Sequence, residues 1–169
     1  MKSGEPHSTK RHLIKVDGST KELVTVHDKA GNIIHRIVNP IMAEFQNKDV
    51  LQIIVGASLL AIPLAYTQET WDLGSELAMM NVFLLIVLSL IFLSSFIFYN
   101  YYKSDFETHK SHFFTRLITT YSLAFLIVAV VLTIIGKAPW TSDILLAFKR
   151  VVIVTFPASM SAAVADFIK

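Results

Sequence analysis

Residues 50–74 read VLQIIVGASLLAIPLAYTQETWDLG. The first seventeen of them, Val50–Tyr66, carry no charge. Gln68, Glu69, Trp71 and Asp72 then follow at once. A helix needs about 20 apolar residues to cross the hydrocarbon core of a bilayer. Val50–Tyr66, extended by a residue or two at each end, just meets that length. The abrupt change after Tyr66 reads as the edge of a membrane. Trp71 then serves as an interface anchor, its ring among headgroups and its N–H in water.

The rest of the chain agrees with this start. Of 169 residues, 53 % are hydrophobic and only 17 % charged, and the mean hydropathy is +0.55. That leaves too little polar surface to cover a soluble core, so the class is integral membrane protein. Three more apolar segments follow: one within the charge-free stretch 77–102, one at 117–136 and one at 144–168. The last is charge-free only over 151–165, and its flanks bring in Lys149, Arg150 and Asp166. The expected fold is an all-α polytopic membrane protein with four transmembrane helices, residues 50–169.

The residues before the first span are of another kind. Residues 1–12 have almost nothing to bury and read as disordered. Residues 13–39 hold three β-branched runs, LIKV, KELVTVH and IIHRIV, separated by Asp17-Gly18 and Gly31-Asn32. Both pairs suit tight turns, so a small three-stranded β-meander is expected. Residues 40–49 read as an interfacial lead-in helix, with Ile41, Met42 and Phe45 toward the headgroups. The polar opening MKSGEPHSTKRH has no apolar core of a signal peptide, so the first span is expected to direct insertion.

Lysine and arginine set the orientation. Eight lie before the first span and three, Lys103, Lys110 and Arg116, lie between the second and third. Residues 67–76 hold none. The expected topology in the cell membrane is multi-pass, with the meander and both termini cytoplasmic. Lys137, Lys149 and Arg150 then fall outside and oppose the trend, but they are outnumbered. Trp71 and Trp140 share the outer interface.

The candidate site residues follow from this topology. Glu69 and Asp72, with Gln68 beside them, stand at the outer mouth of the first span. Carboxylates there attract cations, or form an ordinary polar loop. Pro63 breaks one backbone hydrogen bond, and Gly56, Ala57, Ala61 and Ala65 recur near four-residue spacing. Such a helix either packs closely with a kink or lines a pore or hinge. The fourth segment joins Pro157 to Ser159 and a run of alanines, which belongs in a bundle centre or around a symmetry axis. Asp166 at its inner end forms an acidic ring, or pairs with Lys169. Lys149 and Arg150 are costly in the membrane unless they pair with Glu69 or its neighbours, or bind lipid phosphate. The two readings of Glu69 compete, because a paired carboxylate is less free to hold an ion.

Other chemistries find little support. No cysteine is present, which excludes disulfides and thiolate metal sites. The six histidines all fall on the expected cytoplasmic side and read as solvated. A net charge of +2 does not point to nucleic acid. No phosphate loop, nucleophile elbow or zinc motif occurs, so no enzyme, cofactor or metal site is expected.

Over residues 39–74, NPIMAEFQNKDVLQIIVGASLLAIPLAYTQETWDLG, the chain resembles a prokaryotic family of small integral membrane proteins of unknown function. There, a proline and an acidic-aromatic step lead into a helix of this kind. The family's acidic pair after the threonine corresponds to Gln68-Glu69, so one carboxylate is replaced. The resemblance implies a membrane fold and no settled activity. From the residues, the expected function is a homo-oligomeric ion channel or pore, cation-preferring, with the lipid bilayer, inorganic ions and further copies of the chain as partners. The alternative is a non-conducting sensor, scaffold or accessory subunit whose meander binds a cytoplasmic partner.

Overall fold

The computed structural model describes residues 8–16, 19–27, 32–40, 47–102 and 106–168. The chain divides into two units, residues 1–44 and 45–169. In the first, β1 (Ser8–Val16), β2 (Ser19–His27) and β3 (Ile33–Pro40) form an antiparallel meander in the order β1-β2-β3. Pairing runs from Ser8↔His27 to Val16↔Ser19, and a register shift between Val26 and His27 interrupts the second ladder. The disorder expected through residue 12 gives way at Ser8, because β2 is long enough to pair with Ser8–His12 along Leu23–His27. Residues 1–7 lie outside the described residues.

The second unit is helical: α1 (Asn47–Ala65), α2 (Gln68–Glu76), α3 (Met79–Ile97), α4 (Phe106–Ile134) and α5 (Ile144–Phe167). All but α2 are long and apolar enough to cross a membrane. Residues 41–46 of the expected lead-in helix lie outside the described residues, and Asn47–Asp49 form the first turn of α1. At 29 residues α4 rises about 44 Å, well beyond the bilayer core. Its first turns carry Lys110, His112 and Arg116.

α5 packs against α1, α2, α3 and α4, and its pairing with α1 is the most extensive between helices. Small side chains explain the closeness. Ile53, Ala57, Ala61 and Ala65 on α1 are buried at four-residue spacing, and Ala158 and Ala162 on α5 are fully buried. A Cβ on Gly56 would lie 2.9 Å from Ala162 Cα and from Ser161 O, so the two backbones meet where glycine stands. Thr120, Ala124, Val128 and Leu132 bring α4 into the same seam. Leu51, Val55, Leu59 and Ile62 on α1, and Met80, Phe83, Leu84 and Ile91 on α3, face outward. That is the distribution a bilayer requires: bulky apolar groups to lipid, small groups to helix contacts. The small-residue face of α5 is therefore used inside one chain.

The helix ends are closed by local bonds. Gly136, at φ +69°, ends α4 in a Schellman turn, with Lys137 N–H donating to Leu132 O at 2.8 Å. Asp143 caps α5 by accepting from Leu146 N–H at 2.9 Å. At the end of α1, Thr67 Oγ1 donates to Leu64 O at 2.8 Å and Trp71 Nε1 to Ala65 O at 2.7 Å. The indole N–H expected in water is thus a cap on α1. Trp140 Nε1 likewise reaches Thr133 Oγ1 at 2.7 Å.

Candidate functional site

Three charged side chains meet inside the bundle: Asp49 from the first turn of α1, Arg116 from α4 and Asp166 from the last turn of α5. All three are buried. Arg116 Nη2 donates to Asp49 Oδ2 at 3.2 Å, and Nη1 donates to Asp166 Oδ2. A guanidinium suits this place because its fork offers two separate nitrogens to two carboxylates, which a lysine cannot do.

Position along each helix fixes what each carboxylate needs. Asp49 sits at a helix N-terminus, where a negative charge meets the positive end of the dipole. Asp166 sits at a C-terminus, against the negative end, and depends on Arg116 for compensation. Tyr101 adds a second donor, its hydroxyl 3.2 Å from Asp166 Oδ2. The Arg116 guanidinium also stacks 4.1 Å above the Tyr101 ring centre.

A π-helical turn, Phe98–Tyr102, delivers this tyrosine at the end of α3. The wider turn sets Tyr101 beside Asp166 and buries its neighbour Tyr102, which packs edge-on against Phe113 at 5.6 Å. One helical turn further in, Gln52 Oε1 and Thr120 Oγ1 are buried with no hydrogen-bond partner among the described residues. Beyond them Ile53, Ala57, Ala124 and Ala162 form an apolar layer that closes the polar region.

The other end of the bundle holds most of the residues singled out in the sequence. Residues 68–76, read as a loop, form α2, with Glu69 in its first turn. Gln68, Glu69, Asp72 and Glu76 are all exposed, and the spacing of the three carboxylates puts them along one face. The salt bridge expected from α5 to this segment does not form. Lys149 Nζ donates to Leu77 O at 2.7 Å. Arg150 Nε donates to Trp71 O at 3.2 Å and Nη1 to Lys137 O at 2.9 Å. Leu77 and Lys137 lie just past the ends of α2 and α4, where carbonyls lack intrahelical partners, whereas Trp71 lies within α2. Gly74 makes room for this, since a Cβ there would collide with Arg150 Cγ. Lys137 Nζ lies 3.8 Å above the Trp71 ring.

The remaining candidates are scattered. Pro63 is exposed on α1. Ser159 is buried, 3.1 Å from Ser89 Oγ on α3, and donates to Phe156 O at 2.9 Å beside Pro157. Asp166 pairs with Arg116, whereas the sequence offered Lys169 or a ring of copies; Lys169 lies outside the described residues. Asp49 was not singled out, and Arg116 was counted only as a charge that sets orientation. The signal for them was charge at matching depth: an acid opening α1, a base just inside α4, an acid closing α5.

The model of the family described as "Putative integral membrane protein (DUF2391)" matches residues 21–168, from β2 to the end of α5. No curated protein and no solved structure matches the chain.

Proposed function

The chain belongs to this family of integral membrane proteins, and from that premise we propose that it is a homo-oligomeric, cation-preferring ion channel of the cell membrane. The observation that carries the reading is the continuity of α1 with α2. The outward face of α1, with Leu51, Val55, Leu59, Ile62 and Pro63, leads within a few residues to the exposed Glu69, Asp72 and Glu76. Carboxylates at a mouth raise the local cation concentration, and an apolar stretch behind them gates by excluding water.

The path in this reading runs between copies, because the interior of one chain is closed by Ile53, Ala57, Ala124 and Ala162. Asp49, Arg116 and Asp166 anchor the far end of α1. The excess of lysine and arginine before α1 supports an arrangement with both termini cytoplasmic and α2 outside.

One observation favours the second reading, a non-conducting scaffold or sensor. The small-residue face of α5 is consumed by contacts within the chain, so it supplies no seam for an oligomer axis.

Ion flux into liposomes containing the purified protein separates the two. Potassium, sodium, calcium and chloride are tested one at a time against protein-free vesicles. Cation flux that falls in Glu69→Gln supports the channel. Folded protein that passes no ion at any pH rejects it.

A further inference from the structure

Where α2 turns into α3, a groove opens on the outside of the bundle. Leu73 of α2, Leu77 of the turn, and Asn81, Leu84, Leu85 and Leu88 of α3 line a volume of about 320 Å³. Its walls are almost wholly apolar. From Leu77 to Leu88 the chain rises about 16 Å, half of a hydrocarbon core about 30 Å thick. The groove is therefore as deep as one leaflet, which is the reach of one acyl chain.

Its mouth is polar. Lys149 Nζ is bonded to the carbonyl of Leu77, a lining residue, at 2.7 Å. That bond uses one of the three ammonium protons and leaves two. Glu76, next to Leu77, is exposed. Lys149 and Glu76 form no ion pair with each other or with any other described residue. Asn81, also exposed, adds a carboxamide just below. The other cations of this end, Arg150 and Lys137, are turned toward Trp71.

Lys149 bonds the carbonyl of the lining residue Leu77, and the exposed Glu76 precedes Leu77 in the chain, so a cation and an anion both flank this end of an acyl-sized groove and complement a headgroup that carries both charges. We infer that this groove binds a phospholipid with a zwitterionic, primary-amine headgroup, phosphatidylethanolamine being the type. Its phosphate meets Lys149, its ammonium donates to Glu76, and one chain lies along Leu84 and Leu88. A primary amine donates hydrogen bonds to the carboxylate, and a choline headgroup does not. A purely anionic headgroup leaves Glu76 opposed to it. The site is independent of ion conduction.

The test uses vesicles of equal parts phosphatidylethanolamine, phosphatidylcholine and phosphatidylglycerol. Full-length protein is extracted in mild detergent and its retained lipid identified by native mass spectrometry. Phosphatidylethanolamine should be enriched about five-fold over the other two, the ratio given by about 1 kcal/mol of discrimination. Glu76→Gln should move the preference to phosphatidylglycerol. Lys149→Gln should abolish it, and Lys149→Arg, which keeps a donor for Leu77 O, should restore it. Asn81→Leu, which leaves the Lys149 bond untouched, should weaken retention of all three. Equal retention of the three lipids by the native protein overturns the inference, as does a native preference for phosphatidylglycerol or choline. An ethanolamine preference unchanged in both Glu76→Gln and Lys149→Gln overturns it too.

Discussion

Replacing Arg116 with methionine should destabilise the bundle more than removing the whole buried charge cluster. The single change keeps an unbranched apolar stem but takes away the cation between Asp49 and Asp166, both buried. Breaking a buried ion pair by deleting one partner costs about 3–5 kcal/mol, because an uncompensated charge stays behind. For a chain of this size each kcal/mol shifts the melting temperature by roughly 2–4 °C, so a fall of about 6–20 °C is expected. In the triple variant Asp49→Val, Arg116→Met, Asp166→Val no charge remains to be stranded. Apolar replacements of buried ionic clusters are commonly neutral or stabilising by about 1–4 kcal/mol. The assay is thermal unfolding in detergent, followed by size-exclusion recovery of folded protein. A single variant as stable as the native chain refutes the burial argument. A triple variant that loses as much as the single one refutes the attribution to stranded charge.

Other tests follow from the packing. Gly56→Ala should lower the melting temperature although alanine favours helix by about 1 kcal/mol. The new Cβ meets Ala162 Cα and Ser161 O at 2.9 Å, both backbone atoms of α5, and overpacking of that kind costs about 1–3 kcal/mol. A rise on thermal unfolding would show that the two helices separate freely. Trp71→Phe keeps the ring under Lys137 but removes the bond to Ala65 O, a loss of about 1 kcal/mol. Hydrogen exchange should then quicken in α2 and at the end of α1 while α4 is unchanged; protection identical to the native chain would deny Trp71 its capping role.

The four spans were legible because hydropathy over a long window reports a property of each segment alone. Helix α2 was not. Its composition is polar and it contains Gly74, both of which read as loop, and the reason for that glycine is an arginine far along the chain. The same holds for Lys149 and Arg150. Sequence suggests carboxylates for them because carboxylates have letters, whereas the carbonyls of Leu77, Trp71 and Lys137 are backbone groups that every residue carries. Arg116 was counted as a charge that sets orientation. That it also joins α1 to α5 depends on which helices are neighbours, and periodicity within one segment holds no such information. The small residues of α5 announced close packing, but a partner within the chain and a partner in another copy leave the same pattern.

The central position of α5 bears on how the chain is made. Helices α1, α3 and α4 all leave the ribosome before it. Asp49 and Arg116 can find each other as soon as α4 is in the bilayer. The Gly56 side of α1, which meets Ala162 and Ser161 of α5, is then still without its partner. Helix α3 has few contacts with α4 and gains most of its neighbours only with α5. Assembly therefore has a waiting period, during which three inserted helices lack the surface they were shaped for. A membrane chaperone that shields small-residue faces would act in that interval, and its length is set by the time taken to synthesise residues 135–168.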